Sequence, residues 1–196
     1  MHWTTSKLSL LFGALAALAG TACQSGGVGD PCVPEDEYYD TFPGYTETQV
    51  NVESKSFQCQ TRVCLVANFR GRVSCPYGQE NATDRKCSIP GSPDPTKANS
   101  HYVTVAVPAQ LQARQTSQAV YCSCRCAGAD PNAKYCDCPS GYVCANIVPQ
   151  VSESQKELAG SYCIKDGTQV TDPTRIPSGP CSLVSNTCGP PYPDNL

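Results

Sequence analysis

The longest apolar run stands at the start of the chain. Leu8 to Ala19 reads LSLLFGALAALA and, Ser9 apart, is apolar or small. It follows a short polar stretch with one cation, Lys7, and gives way at once to Gly20 and Thr21. Such a run is too short to span a bilayer as a helix, and it has no polar face with which to lie on a globular core. A charged start, a compact apolar segment and small residues behind it have the layout of a secretory signal peptide, here residues 1–22. No second stretch of spanning length follows.

Beyond this leader the pattern changes to short alternations, the period of half-buried strands. Thr48 to Glu53 places Val50 and Val52 on one face, and His101 to Val107, the clearest strand, does the same with Val103, Val105 and Val107. Ala119 to Cys126 sets Val120, Cys122, Cys124 and Cys126 opposite Tyr121, Ser123 and Arg125. Arg62 to Asn68, a turn through Gly71, and Arg72 to Cys75 predict one hairpin. Ser161 to Lys165 and Thr168 to Val170, on either side of Asp166-Gly167, predict another. The single helical candidate is Glu153 to Ala159, with Gly160 placed to end it. Pro90 to Ser100 (PGSPDPTKANS) is loop by composition and the expected boundary if residues 32–196, read as one disulfide-rich domain, divide into two lobes. The expected fold is small, all-β and disulfide-rich, with short antiparallel hairpins, long loops and at most one short helix.

Composition explains why staples are needed. The chain has 15 Cys, none before position 23, with 17 Pro, 15 Gly and a lone Trp3 that lies in the leader. A core so poor in large apolar groups cannot offset chain entropy unaided. In an oxidising compartment each bridge contributes about 2–4 kcal/mol. Fifteen is odd. If Cys23 is used otherwise, the rest (Cys32, Cys59, Cys64, Cys75, Cys87, Cys122, Cys124, Cys126, Cys136, Cys138, Cys144, Cys163, Cys181 and Cys188) can close seven bridges with none left over. Cys122, Cys124 and Cys126 would project to one side of a strand and so cannot bond one another, which sends each to a different partner such as Cys136, Cys138 or Cys144. The connectivity stays open, with Cys181/Cys188 the most natural local pair.

Gly20-Thr21-Ala22-Cys23, directly behind the apolar run, resembles the cleavage site of bacterial lipoproteins, in which the Cys becomes diacylated. Thr21 and Ala22 fit that pattern, whereas Gly20 stands where Leu is usual. The rival is ordinary cleavage after Ala17–Ala19 or Gly20–Ala22, releasing a soluble secreted protein. Residues 23–31, with Gln24-Ser25-Gly26-Gly27-Val28-Gly29, read as a flexible lipidated tether. Because Gln24 is not Asp, the resemblance implies the outer membrane. Gly71 to Gly78 (GRVSCPYG) and Cys136-Asp-Cys-Pro139 add a similarity to cysteine-rich surface lipoproteins of myxobacteria and related bacteria. That similarity implies, at most, a part in surface contact or motility. Cys136 to Cys144 also looks like the closing half of an EGF-type module, without that module's other spacings.

Candidate chemistry is sparse. Asp30 to Glu53 carries seven acids and no Lys or Arg. Glu35-Asp36-Glu37 with Asp40 has the oxygens for calcium but no EF-hand spacing, and reads as a solvated acidic segment. The close cysteine pairs are C-x-C, with four residues between Cys59 and Cys64, whereas structural zinc sites favour paired C-x₂₋₄-C, often with His, and no C-x-x-C is present. His101 is the only histidine after the leader and has no nucleophile motif beside it. Thirteen basic against 17 acidic side chains after the leader disfavour nucleic acid, although Arg62, Arg70 and Arg72 could form a local basic patch on a solvated hairpin face. Asn81-Ala82-Thr83 is a glycosylation sequon, relevant only in a eukaryote. The expectation is a protein without catalytic activity, cofactor or metal. It would be membrane-attached at Cys23 and would meet other envelope or surface proteins through loop tyrosines Tyr38, Tyr39, Tyr45 and Tyr77. The alternative is a soluble secreted small enzyme or inhibitor.

Overall fold

A computed structural model describes residues 26–92, 101–149 and 158–188. The leader, Cys23, and all but the end of the helical candidate Glu153–Ala159 lie outside these residues. The fold is small, all-β and disulfide-rich, built on two three-stranded antiparallel sheets.

The first sheet has the order β1 (Val50–Glu53), β2 (Val63–Ala67), β3 (Val120–Ser123). Its central strand, VCLVA, is an uninterrupted apolar run because both of its faces are buried. Cys64 and Val66 pack with Cys32, Val33, Tyr45, Phe69, Val73 and Cys122. Leu65 and Ala67 pack on the other side with Val52, Tyr121, Tyr162 and Ile164. The second sheet has the order β4 (Arg125–Ala127), β6 (Gly160–Lys165), β5 (Tyr142–Val148). Its Tyr162 and Ile164 complete the second cluster, so the two sheets share one layer of core. Tyr121 clamps them: its hydroxyl accepts the Lys165 N–H at 2.9 Å, and its ring meets Tyr142 edge-on at 5.8 Å.

Four expectations are corrected by the pairing. The segment Ala119–Cys126 is not one strand. Ala119 ends a single-turn helix α1 (Thr116–Ala119), and β3 and β4 lie on either side of Cys124. The chain changes sheets there, because β3 finds its hydrogen bonds on β2 and β4 finds its own on β6. Arg72–Cys75 does not fold back onto β2. Gly71, at φ +87°, exchanges two 2.9 Å backbone hydrogen bonds with Tyr45 and carries the chain toward the acidic segment. A side chain at Gly71 would also collide with the Pro108 carbonyl. Nor does Thr168–Val170 pair with β6. That strand is already central, flanked by β5 and β4, and has no free edge.

The fourth correction concerns His101–Val107. Its alternation holds, with Val103 and Val107 buried and Thr104 and Ala106 exposed. It forms no ladder, only isolated bridges to Ser88 and Gln79. The Gln79 side chain stands where a neighbouring strand would be. Its Nε2 donates to the Val103 and Val105 carbonyls at 2.9 and 2.7 Å, and its Oε1 accepts the Cys87 N–H at 3.0 Å. The Thr104 N–H donates to the Asp40 carbonyl at 2.7 Å. One amide therefore satisfies two carbonyls of a segment that lies in no ladder, and backbone bonds to Asp40, Gln79, Cys87 and Ile89 serve other groups along it.

The segments on either side of residues 93–100 are joined in one sheet. β2 and β3 come from opposite sides of that stretch in sequence and are adjacent in the sheet, and the Cys59–Cys122 bridge crosses it as well.

Candidate functional site

All fourteen cysteines after Cys23 are joined in seven bridges: Cys32–Cys64, Cys59–Cys122, Cys75–Cys87, Cys124–Cys136, Cys126–Cys144, Cys138–Cys163 and Cys181–Cys188. Cys122, Cys124 and Cys126 do reach three different partners, but Cys122 goes back to Cys59 and Cys138 goes forward to Cys163. The bridges lie against each other. Cys163 Sγ is 3.6 Å from Cys124 Sγ and 3.7 Å from Cys136 Sγ. Three cysteine triads bring their sulfurs within 4.8 Å: Cys32/Cys59/Cys122, Cys124/Cys136/Cys163 and Cys126/Cys138/Cys144. Oxidised sulfur is not the thiolate a zinc site requires, so in this state these triads are covalent packing.

The acidic segment is not simply solvated. Glu35–Tyr38 is a single 3₁₀ turn that drives Glu37 inward until its side chain is wholly buried. There its carboxylate accepts the Val73 and Ser74 N–H groups and the Ser74 hydroxyl, the last at 2.6 Å. Arg72, equally buried, donates to the Glu37, Tyr39 and Phe42 carbonyls. Burial pushes the Glu37 carboxyl above its ordinary range and the Arg72 guanidinium below its own, while Ser74 and the opposite charges pull each back. Asp36 is engaged too, accepting from the Tyr45 hydroxyl at 2.9 Å and from Asn51 Nδ2 at 3.2 Å. An open hollow of about 520 Å³ lies over this group, with Phe42 and Gln49 on its wall. Of the four carboxylates weighed for calcium, Glu37 thus binds two backbone N–H groups and the Ser74 hydroxyl, and Asp36 binds neighbouring side chains.

The other predicted residues scatter. Of the four loop tyrosines only Tyr38 and Tyr39 are exposed, whereas Tyr45 is core and the Tyr77 hydroxyl is spent on Asn186 and the Cys188 carbonyl. The three arginines form no patch: Arg72 is buried, Arg70 donates to the Ala109 carbonyl at 2.9 Å, and only Arg62 is exposed. His101 is exposed at the rim of the 101–107 segment, its backbone N–H donating to Ser92 Oγ at 2.7 Å.

Sequence reasoning missed the polar side chains that stand in for regular structure. Besides Gln79 and Arg72, Arg114 caps the Ala67, Asn68 and Thr168 carbonyls. Gln58 exchanges two hydrogen bonds with the Val33 backbone at 2.8 and 3.1 Å. A high share of loop with few ladders leaves many buried backbone groups to satisfy, and long polar side chains are the means available. That is the signal that could have found them.

Besides Tyr38 and Tyr39, the most exposed large apolar side chains among the described residues stand on two loops. Leu183 and Val184 stand 71% and 99% exposed at the tip of the loop closed by Cys181–Cys188. Phe57 is 83% exposed on the loop between β1 and β2. That loop receives the start of the described chain, since Gly26 bridges Cys59 in parallel, donating to the Gln58 carbonyl at 2.7 Å and accepting the Gln60 N–H at 2.9 Å. Residues 26–31 are therefore not a flexible tether. The Gly29 N–H and the Asp30 carbonyl also bond Cys122, each at 2.8 Å, strapping the chain across the Cys59–Cys122 bridge.

No family model matches this chain, and no curated protein or solved structure is detectably similar to it.

Proposed function

We propose that this chain is an exported, lipid-anchored envelope protein that acts by contact and not by catalysis. Its attachment is Cys23, and its place is the outer membrane, facing the periplasm or the cell surface. The observation that carries the reading is the complete pairing of the other fourteen cysteines, which leaves Cys23 without a partner in its own chain. The odd cysteine stands directly behind a secretory leader, at the position where the resemblance to bacterial lipoproteins implies the lipid. The fold supports a contact role. Tyr38 and Tyr39 on the 3₁₀ turn, and Leu183 and Val184 on a disulfide-closed loop, present apolar area from positions already ordered, which keeps the entropic cost of binding low. Other envelope or surface proteins are the partners that such an anchored module meets, in surface contact or motility.

Intact mass of the membrane-extracted protein tests the anchor. A chain beginning at Cys23 with its acyl groups is expected, and Cys23→Ser should move the folded protein to the soluble fraction. A wild-type chain found soluble with an unmodified N-terminus would replace this reading with a secreted protein. The clamped Leu183–Val184 tip would then favour an inhibitor.

A further inference from the structure

We infer that the loop Lys55–Arg62 is a membrane-docking face that sets the anchored protein directly on the phospholipid surface. The inference rests on Cys23 as the lipid attachment and deepens it. Cys23 is three positions before Gly26, where the chain is already bonded on both sides to Gln58 and Gln60. Three residues reach at most about 10 Å. With an acylated Cys23 in the headgroup layer, Gly26 lies within that distance of the lipid, and the residues bonded to it stand beside the surface.

What surrounds Gly26 is suited to a lipid surface. Phe57, one residue from the carbonyl that holds Gly26, is 83% exposed. Single exposed apolar side chains are common on soluble proteins, and this one is set apart by its place beside the attachment point. Its only ring partner among the described residues is the Arg62 guanidinium, 4.1 Å from the ring centroid. Arg62 also donates to the Lys55 carbonyl at 3.3 Å, so the ring and both cations belong to one tight loop. Lys55, Phe57 and Arg62 are all exposed.

The loop is held rigid from beneath. Arg62 keeps φ +64° through the Ser56–Arg62 and Arg62–Cys59 backbone bonds, and Cys59 is bridged to Cys122. Two neighbouring acids are engaged by backbone, Asp30 directly against Gly26. Asp30 accepts the Gly27 N–H at 2.7 Å, and Glu53 accepts the Glu35 N–H at 3.0 Å. An aromatic ring flanked by two cations matches the boundary between acyl chains and anionic headgroups.

The test uses the absence of tryptophan beyond Trp3. Phe57→Trp gives the cleaved, lipidated protein a single indole at the face, and Val184→Trp places one at an equally exposed control position. Each is reconstituted in phosphatidylglycerol/phosphatidylethanolamine vesicles, with and without brominated acyl chains. The Phe57→Trp indole should shift to the blue and be quenched by bromine, while the Val184→Trp indole keeps its aqueous emission. Adding Phe57→Ser to a Cys23→Ser protein should weaken binding to the same vesicles about tenfold at low salt. Aqueous emission from Phe57→Trp in a protein whose mass proves acylation would overturn the docking face and leave the anchor standing. A blue shift that grows with protein concentration in the absence of vesicles would overturn it in favour of a second copy of the chain. An unacylated N-terminus with no binding of the Cys23→Ser protein would overturn both.

Discussion

Arg72 Nε lies 3.9 Å from Glu37 Oε2, and neither side chain touches solvent, yet most of their hydrogen bonds go to backbone and not to each other. The pair fastens the 3₁₀ turn to the strand-like stretch after Gly71, where no ladder exists to do so. Arg72→Met would remove the donor from the Glu37 and Phe42 carbonyls, leave Tyr39 with the Phe42 N–H alone, and bury Glu37 without its countercharge. It should cost about 3–5 kcal/mol in urea unfolding with the bridges intact. Glu37→Gln keeps the shape but turns an amide N–H₂ toward groups that are themselves donors, at about 1–3 kcal/mol. A neutral Arg72→Met variant would show that the pair is dispensable.

Cys163 sits between two bridges, and that geometry has a chemical consequence. Cys138→Ser would release the Cys163 thiol with both sulfurs of Cys124–Cys136 within 3.7 Å. A thiolate that close can attack either sulfur and expel the other. Non-reducing peptide maps of Cys138→Ser should contain Cys163–Cys124 or Cys163–Cys136 alongside the native pair, increasingly so as pH rises toward the thiol pKa. Cys181→Ser, whose partner Cys188 has no such neighbour among the described triads, should leave the remaining six bridges in place. An unscrambled Cys138→Ser map after prolonged incubation at pH 8.5 would count against exchange.

Alkaline pH should weaken the fold. Burial raises the Tyr45 hydroxyl well above its ordinary range; the hydrogen bond from Asn51 opposes this, and the Asp36 carboxylate that accepts from the hydroxyl adds to it. Tyr121 and Tyr162 are raised in the same direction, again chiefly by burial. A raised folded pKa means that the unfolded chain ionises first. Stability is then full below about pH 10 and falls as pH rises past it, by about 1.4 kcal/mol per pH unit for each such tyrosine. Tyr45→Phe should be less stable than wild type at pH 7, by about 1 kcal/mol for the lost hydrogen bond. It should also show a shallower decline above pH 10. Parallel curves for the two proteins would rule out Tyr45 as a contributor.

Some of this protein could be read without coordinates. Alternation placed Val103 and Val107 inward and Thr104 outward, because successive side chains of an extended backbone point to opposite sides whatever lies beside them. The thin core and the cysteine count implied bridges, and parity set Cys23 apart from the rest. Of the surface proposed to meet the membrane, Phe57 carries no local signal until the loop around it is seen to hold Gly26.

Pairing belongs to the tertiary structure. Gly71 turns the chain to Tyr45 and not back to Cys64, and β6 takes β5 and β4 as neighbours and leaves Thr168–Val170 without an edge. Cys122 bonds Cys59, 63 positions earlier, and not a cysteine nearby. Facing is a property of one residue's backbone and is written locally. Partnership depends on which edges, carbonyls and sulfurs arrive at the same place, and in a chain with few ladders a single Gln79 or Arg72 side chain can decide it.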